Sequence, residues 1–267
     1  MVFLALCAGV MAQTVFVHAN VFDGTRLLRN QTVVVEGGVV TALGARVARP
    51  AGAEVIEAKG KTLLPALIDA ARVASTAWVS LVYDDGFAWG RKHESASFEA
   101  LHDEVEKVHK EQKQALVEVG SLRESMEALN ANADGLLRIF AGAQSDAAFI
   151  RMAVKKKAFV IPMLAVLEGA SSKSGKPRME GSLEALRQLR SAKVPLLAGG
   201  PALGLELELL VRDVGMTPIE ALQAATSVPA RVFGLTDQGV MAVGRRVRLV
   251  LVDGDPTVSI GILTKIN

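Results

Sequence analysis

From about Val79 to Ala225, short apolar runs alternate with capped, amphipathic stretches, and this alternation constrains the fold more than any other feature of the chain. Val79–Tyr83, Ala115–Val119, Gly135–Phe140, Phe159–Leu164 and Pro195–Ala198 read as strands. Ser97 precedes a helical pattern from about Phe98 to Lys113, with Phe98, Leu101, Val105 and Val108 on one stripe. Ser121-Leu122-Arg123-Glu124 is a capping box for a helix reaching about Asn130, and Thr217-Pro218-Ile219-Glu220 is a second, with proline at its first helical position. Ser145 or Asp146 opens a helix through Lys156, and another runs from Ser182 to about Arg190. Strands joined through helices at this spacing predict parallel pairing in an open sheet or barrel. Half of the residues are apolar but only 4% are aromatic, so valine, leucine and alanine must fill the core. Glu168–Gly181, rich in Ser, Gly and Lys, is expected to be the flexible loop.

The two ends have a different texture. Val15–Phe22, Gln31–Val35, Val39–Leu43 and Val55–Ala58 are short strand patterns punctuated by Asp23-Gly24, Gly37-Gly38 and Gly60. Val247–Val252, closed by Asp253-Gly254-Asp255-Pro256, is their counterpart near the other end. The expected organisation is therefore a β-sandwich built from 13–62 and 240–267, around a barrel domain at 63–239. A net charge of +2, with both signs spread along the chain, gives no nucleic-acid groove, and Lys155-Lys156-Lys157 reads as the solvated last turn of a helix. Residues 1–12 are apolar and end in Val10-Met11-Ala12, which resembles a signal-peptidase site without a positive n-region. They predict a periplasmic or secreted protein, or a cytoplasmic one if they are not a signal, and they are too short to span a membrane. Cys7 is the single cysteine, which excludes an internal disulfide and a cysteine-based zinc site.

Five segments in order resemble the amidohydrolase superfamily, in its imidazolonepropionase-like and Xaa-dipeptidase-like branch. They are Val21-Phe22-Asp23-Gly24 with Val33–Gly38 and Lys61–Ala70; Val82-Tyr83-Asp84-Asp85-Gly86; Val119-Gly120-Ser121 through Ala133-Asp134-Gly135; Pro218–Ala230 with Phe233-Gly234-Leu235; and Gly244 with Leu249–Pro256. The resemblance spans nearly all of the chain past residue 14. The resemblance implies a (β/α)8 barrel carrying a small sandwich made from both chain ends. It also implies an ancestral activity of metal-dependent hydrolysis of C–N bonds in small amides, cyclic amides or dipeptides. Only a few residues separate Ala71 from Val79, where the family has two further strand–helix units, so a partial barrel is expected. Strand edges left open in this way would favour a homo-oligomer.

Family members hold zinc or another divalent metal through a His-x-His on the first strand, a carboxylated lysine, single histidines on the fifth and sixth strands, and an aspartate on the eighth. Here the resemblance matches these places to Ala71 and Val73, Ser80, Glu118, Arg138, and the neighbourhood of Gly200-Pro201. A catalytic zinc needs about three N, S or O ligands. Only Glu118 offers a good donor, and Arg138 brings a fixed positive charge, so no metal is expected and an ion pair is expected in its place. The histidines do not make up the deficit: His18 lies in the first strand pattern, His93 in a polar stretch, and His102 and His109 two turns apart on a charged helix face. Tyr83, Asp84 and Asp85 are the other polar cluster at a strand's carboxyl end, readable as substrate contacts or a general base, or as ordinary turn chemistry. The sequence thus describes an amidohydrolase relative with an impaired centre. Its ligand would be a small amide or peptide. The alternatives are a hydrolase acting through Glu118, Arg138, Tyr83, Asp84 and Asp85, and a non-catalytic binding or assembly module.

Overall fold

A computed structural model of the protein describes residues 13–73, 78–82, 98–140, 146–174 and 179–265. Residues 1–12 with Cys7, the cluster Tyr83-Asp84-Asp85, His93 and the cap Ser97 lie outside the described residues. In chain order the elements are β1 (Gln13–Phe22), β2 (Leu27–Glu36), β3 (Val39–Gly44), β4 (Glu54–Glu57), β5 (Lys61–Pro65), β6 (Trp78–Val82), α1 (Phe98–Lys110), β7 (Gln114–Glu118), α2 (Leu122–Asn130) and β8 (Gly135–Leu137). They continue with α3 (Ala147–Lys156), β9 (Phe159–Ile161), α4 (Leu164–Ser174), α5 (Glu180–Ser191), α6 (Leu203–Arg212), α7 (Pro218–Ala224), α8 (Ser227–Val232) and β10 (Leu249–Asp253). No described helix is long and apolar enough to cross a membrane. The chain divides into two units, one of residues 1–68 with 216–267 and the other of residues 69–215.

The first unit is built on a branched, six-stranded sheet. One edge of β1 pairs antiparallel with β2 along its length. Its other edge pairs parallel with β4 through Thr14–Val17 and then with β5 through Asn20 and Val21. The change of partner falls at His18, which has a positive φ of 57° and sits where the β1–β2 register shifts. Its imidazole is exposed and meets Glu57 at 3.0 Å. Alternation along β1 and β2 sends Phe16, Val33 and Val35 into one apolar cluster with Val40, Leu63 and Val247, and sends Val15, Val17 and Val34 to the opposite face. β10 closes the far edge of β5 in antiparallel register, and Thr62 donates its hydroxyl to the Gly254 carbonyl at 2.6 Å. This unit also contains α7 and α8, so it reaches further into the chain than 240–267.

The second unit is a partial barrel. β6, β7, β8 and β9 form a parallel sheet in that order. A parallel bridge from Val160 to Leu196 adds the segment at 195–198, and the Ala70 amide donates to the Ala198 carbonyl at 3.0 Å. Among the described residues no ladder joins β6 to the Ala70 segment. Ala115, Leu116 and Val117 of β7 and all three residues of β9 are buried, as strands covered on both faces require. The helices start where their caps dictate. Ser121 Oγ accepts from the Glu124 amide at 3.1 Å while the Glu124 carboxylate accepts from the Ser121 amide at 3.0 Å, and Asp146 accepts from the Ala148 amide at 2.6 Å.

Two expectations need correction, and one helix has no counterpart in the sequence reading. The described residues of Glu168–Gly181 are mostly helix, taken up by the end of α4 and the start of α5, because Leu164, Leu167 and Leu183 are buried and anchor both helices. The fourth strand of the barrel stops at Ile161 rather than Leu164: Pro162 cannot extend the ladder, and Met163 turns the chain with φ 53°. Leu203–Arg212 is a helix, hidden in the sequence by the strand-like alternation Leu203-Gly204-Leu205-Glu206-Leu207-Glu208.

Candidate functional site

In a parallel βα layer the carboxyl ends of the strands carry the loops that bind and react. In the second unit these ends are Glu118, the last residue of β7; Arg138, directly after β8; Pro162-Met163 after β9; Gly199-Gly200 after the 195–198 segment; and Asp69–Val73 beyond Ile68. Two groups of polar contacts form among them.

The first group is Glu118 with Arg138. β7 and β8 pair in register with Glu118 opposite Leu137, which brings the next residue of β8's chain alongside the carboxylate. Arg138 Nη2 lies 3.0 Å from Glu118 Oε1, with the side chains 26% and 23% exposed. The pair is therefore half-buried, and leaving either charge alone costs less than it would in a dry interior. Arg138 has φ 73°, a left-handed conformation that a non-glycine residue holds only when its surroundings impose it. Its amide donates to the Ile161 carbonyl at 2.8 Å and the next amide, of Ile139, donates to Pro162 at 3.2 Å, so β9's end sets the backbone of the arginine. Arg138 Nε is buried with no acceptor among the described residues.

The second group gathers on Asp69. Its Oδ1 accepts from the Ala71 amide at 3.0 Å and from the Gly200 amide at 2.8 Å, while Oδ2 lies 3.3 Å from the exposed Arg72 guanidinium. One carboxylate thus ties the turn carrying Ala71 to the end of the 195–198 segment. The two backbones touch: a Cβ on Gly199 would come within 2.6 Å of the Ala71 nitrogen. Close by, Glu206 of α6 is wholly buried and its Oε2 accepts from the Ala165 amide at 2.8 Å, at the start of α4. Burial pushes this carboxyl up to about 7, assisted by the Asp69 carboxylate and opposed by the amides of Ala165, Leu164 and Met163, which favour the anion.

These residues do not fit a divalent metal. Ala71 and Val73 carry no donor atom, Arg138 is a cation, and Glu118 is engaged by that cation at 3.0 Å. Among the described residues no group of three His, Cys, Asp or Glu side chains could hold an ion. His102 lies near Asp103 and Glu106 on α1, and His109 Nε2 meets Asp134 Oδ2 at 2.8 Å, at the amino end of β8.

Residues 196–267 match the model of the amidohydrolase family. Among solved structures, the chain is similar to a Xaa-Pro dipeptidase with methionine bound in its active site, at 13% identity and a TM-score of 0.76, covering 95% of this chain and 97% of that one. It is similar to A. niger ochratoxinase at 14% identity and a TM-score of 0.76, covering 96% and 92%. It is also similar to phenylurea hydrolase B at 15% identity and a TM-score of 0.70, covering 96% and 95%. Residues 196–267 thus carry the family's sequence pattern, and the chain as a whole shares the fold of these hydrolases. No curated protein matches its sequence. At these identities the likeness to solved structures is one of fold. Within this amidohydrolase fold the structure brings Glu118 and Arg138 together, and leaves Ser80 on the neighbouring strand β6. Sequence reasoning missed Asp69 and Glu206. Asp69 stands two residues before the first substituted His-x-His place, and Glu206 is a charged residue on the buried side of α6 beside Leu207, Leu209 and Leu210; both were signals available in the sequence.

Proposed function

We propose that this chain is a non-catalytic, metal-independent amidohydrolase-fold protein that binds a small amide or peptide at the strand ends. The observation that carries the reading is the 3.0 Å ion pair between Arg138 and Glu118, at the places the resemblance assigns to metal-binding histidines. A guanidinium and a carboxylate side by side are complementary to an amide group. The guanidinium donates to the carbonyl or a terminal carboxylate, and Glu118 accepts an amide or ammonium hydrogen. Hydrolysis needs an activated water and a proton for the leaving nitrogen, and a carboxylate already paired with a permanent cation is a poor base for either role.

Isothermal titration with glycylglycine, alongside chromatography for free glycine, tests the reading. Wild-type protein is expected to bind the dipeptide without releasing glycine, and Arg138→Gln to bind at least about tenfold more weakly, a loss of about 1.4 kcal/mol. Glycine release that disappears in Glu118→Gln would establish a hydrolase working through the remaining carboxylates. Absence of binding, or binding indifferent to Arg138→Gln, would refute the assigned site.

A further inference from the structure

We infer that Glu206 is a proton-operated latch on the turn between β9 and α4: its neutral carboxyl holds the turn closed behind Arg138, and its ionisation opens it. The geometry that carries this is a continuous set of contacts within one unit. Met163, at φ 53°, reverses the chain after β9, and the amides of Met163, Leu164 and Ala165 converge on the Glu206 carboxyl, Ala165 at 2.8 Å. Successive amides in such a turn form a concave donor site, here filled by a side chain from another helix. Two residues earlier the same turn supplies the Ile161 and Pro162 carbonyls that accept from Arg138 and Ile139. Whatever loosens Met163–Ala165 therefore reaches the backbone that imposes Arg138's positive φ.

Burial and an unmet oxygen favour the acid in the closed arrangement, and they outweigh the amides, which favour the anion. Glu206 is fully buried, and its Oε1 has no partner among the described residues. A buried carboxylate oxygen without a donor is costly, whereas a protonated one is far less so. Among the described residues Asp69 is the charged group that acts on it, and it disfavours a second negative charge. The first turn of α4, Leu164 to Leu167, presents no ionisable side chain, and Glu168 beyond it is held by Arg212 at 2.9 Å. On its own helix the remaining charged groups are Glu208 and Arg212.

The direction with pH follows. The closed turn holds this proton more tightly than an open turn or an unfolded chain does, because burial raises the carboxyl to about 7 from the ordinary glutamate range. The stability it lends is complete below that ordinary range and is lost as pH rises through about 7. Hydrogen exchange between pH 5 and pH 8, corrected for intrinsic rates, tests it without any ligand. The inference rests on the Glu118–Arg138 reading only for what the latch controls, so its outcome is separate from that of the glycylglycine titration. In wild type the amides of Ala165, Arg138 and Ile139 are expected to lose protection by about a hundredfold across this range, while Leu116 and Val117 in β7 change little. Glu206→Gln, which keeps an acceptor but cannot ionise, is expected to flatten the dependence. Asp69→Asn is expected to move its midpoint to lower pH, and serves in its place if Glu206→Gln does not fold. Protection that is independent of pH in wild type, falls equally at β7, or is unaltered by these variants would overturn the latch.

Discussion

Replacing Gly199 with alanine is expected to destabilise the protein by about 2–3 kcal/mol, measured by urea denaturation. The added methyl group would sit 2.6 Å from the Ala71 nitrogen, 2.9 Å from Ile161 Cγ2 and 3.0 Å from Ala71 Cβ. Real methyl groups do not come that close, and the nearest obstacle is backbone. That backbone is pinned by Asp69, whose Oδ1 bonds both the Ala71 and the Gly200 amides. The strand end and the Asp69 turn would have to separate, breaking at least one of those bonds. Gly169 in α4 is the control, because a Cβ there meets nothing within 4 Å. Gly169→Ala is expected to be neutral or to stabilise by up to about 1 kcal/mol through helix propensity. If Gly199→Ala proves as harmless as Gly169→Ala, the close approach of the Ala71 turn to the 195–198 segment is wrong.

Glu118→Gln is expected to cost about 1–2 kcal/mol, against no more than about 0.5 kcal/mol for Glu106→Gln on the surface of α1. Glutamine keeps the shape of the side chain and loses its charge, so Arg138 is left half-buried with one buried nitrogen already lacking an acceptor. Fully dry burial would raise the cost to about 3–5 kcal/mol, but side chains 23% and 26% exposed let water screen the survivor. The double variant Glu118→Gln, Arg138→Gln is expected to lose less than the sum of its two single changes, since neither leaves a charge for the other to strand. Additive costs in that cycle would mean that the two residues do not interact.

What the sequence made legible was local or repetitive. The capping boxes at Ser121 and Thr217 form as read, since each needs only residues three apart. The apolar run Ala115–Val119 and the closing strand before Asp253-Gly254-Asp255-Pro256 announced themselves by composition and turn chemistry, with β10 displaced by a residue or two from the pattern. The substituted places were legible through resemblance, and strand register then brought Glu118 and Arg138 within 3.0 Å. What escaped was held at long range. The later part of α4 reads as a loop because its residues are weak helix formers from Gly169 onward, and the start of the helix is secured by Glu206, 41 residues after Ala165. Asp69 closes an apolar run, and nothing local marks its partner Gly200, 131 residues away. Neither separation leaves a periodic trace, and both residues act through backbone amides that every sequence possesses.

In the proposed reading, the Glu118–Arg138 ion pair occupies the places that the resemblance assigns to a metal. Elemental analysis of protein produced in zinc-supplemented medium and dialysed against metal-free buffer addresses it most directly. The arrangement of Ala71, Val73, Glu118 and Arg138 predicts well below one zinc per chain, unchanged in Arg138→Gln, because a single carboxylate cannot retain the ion. One equivalent of zinc surviving dialysis would contradict it.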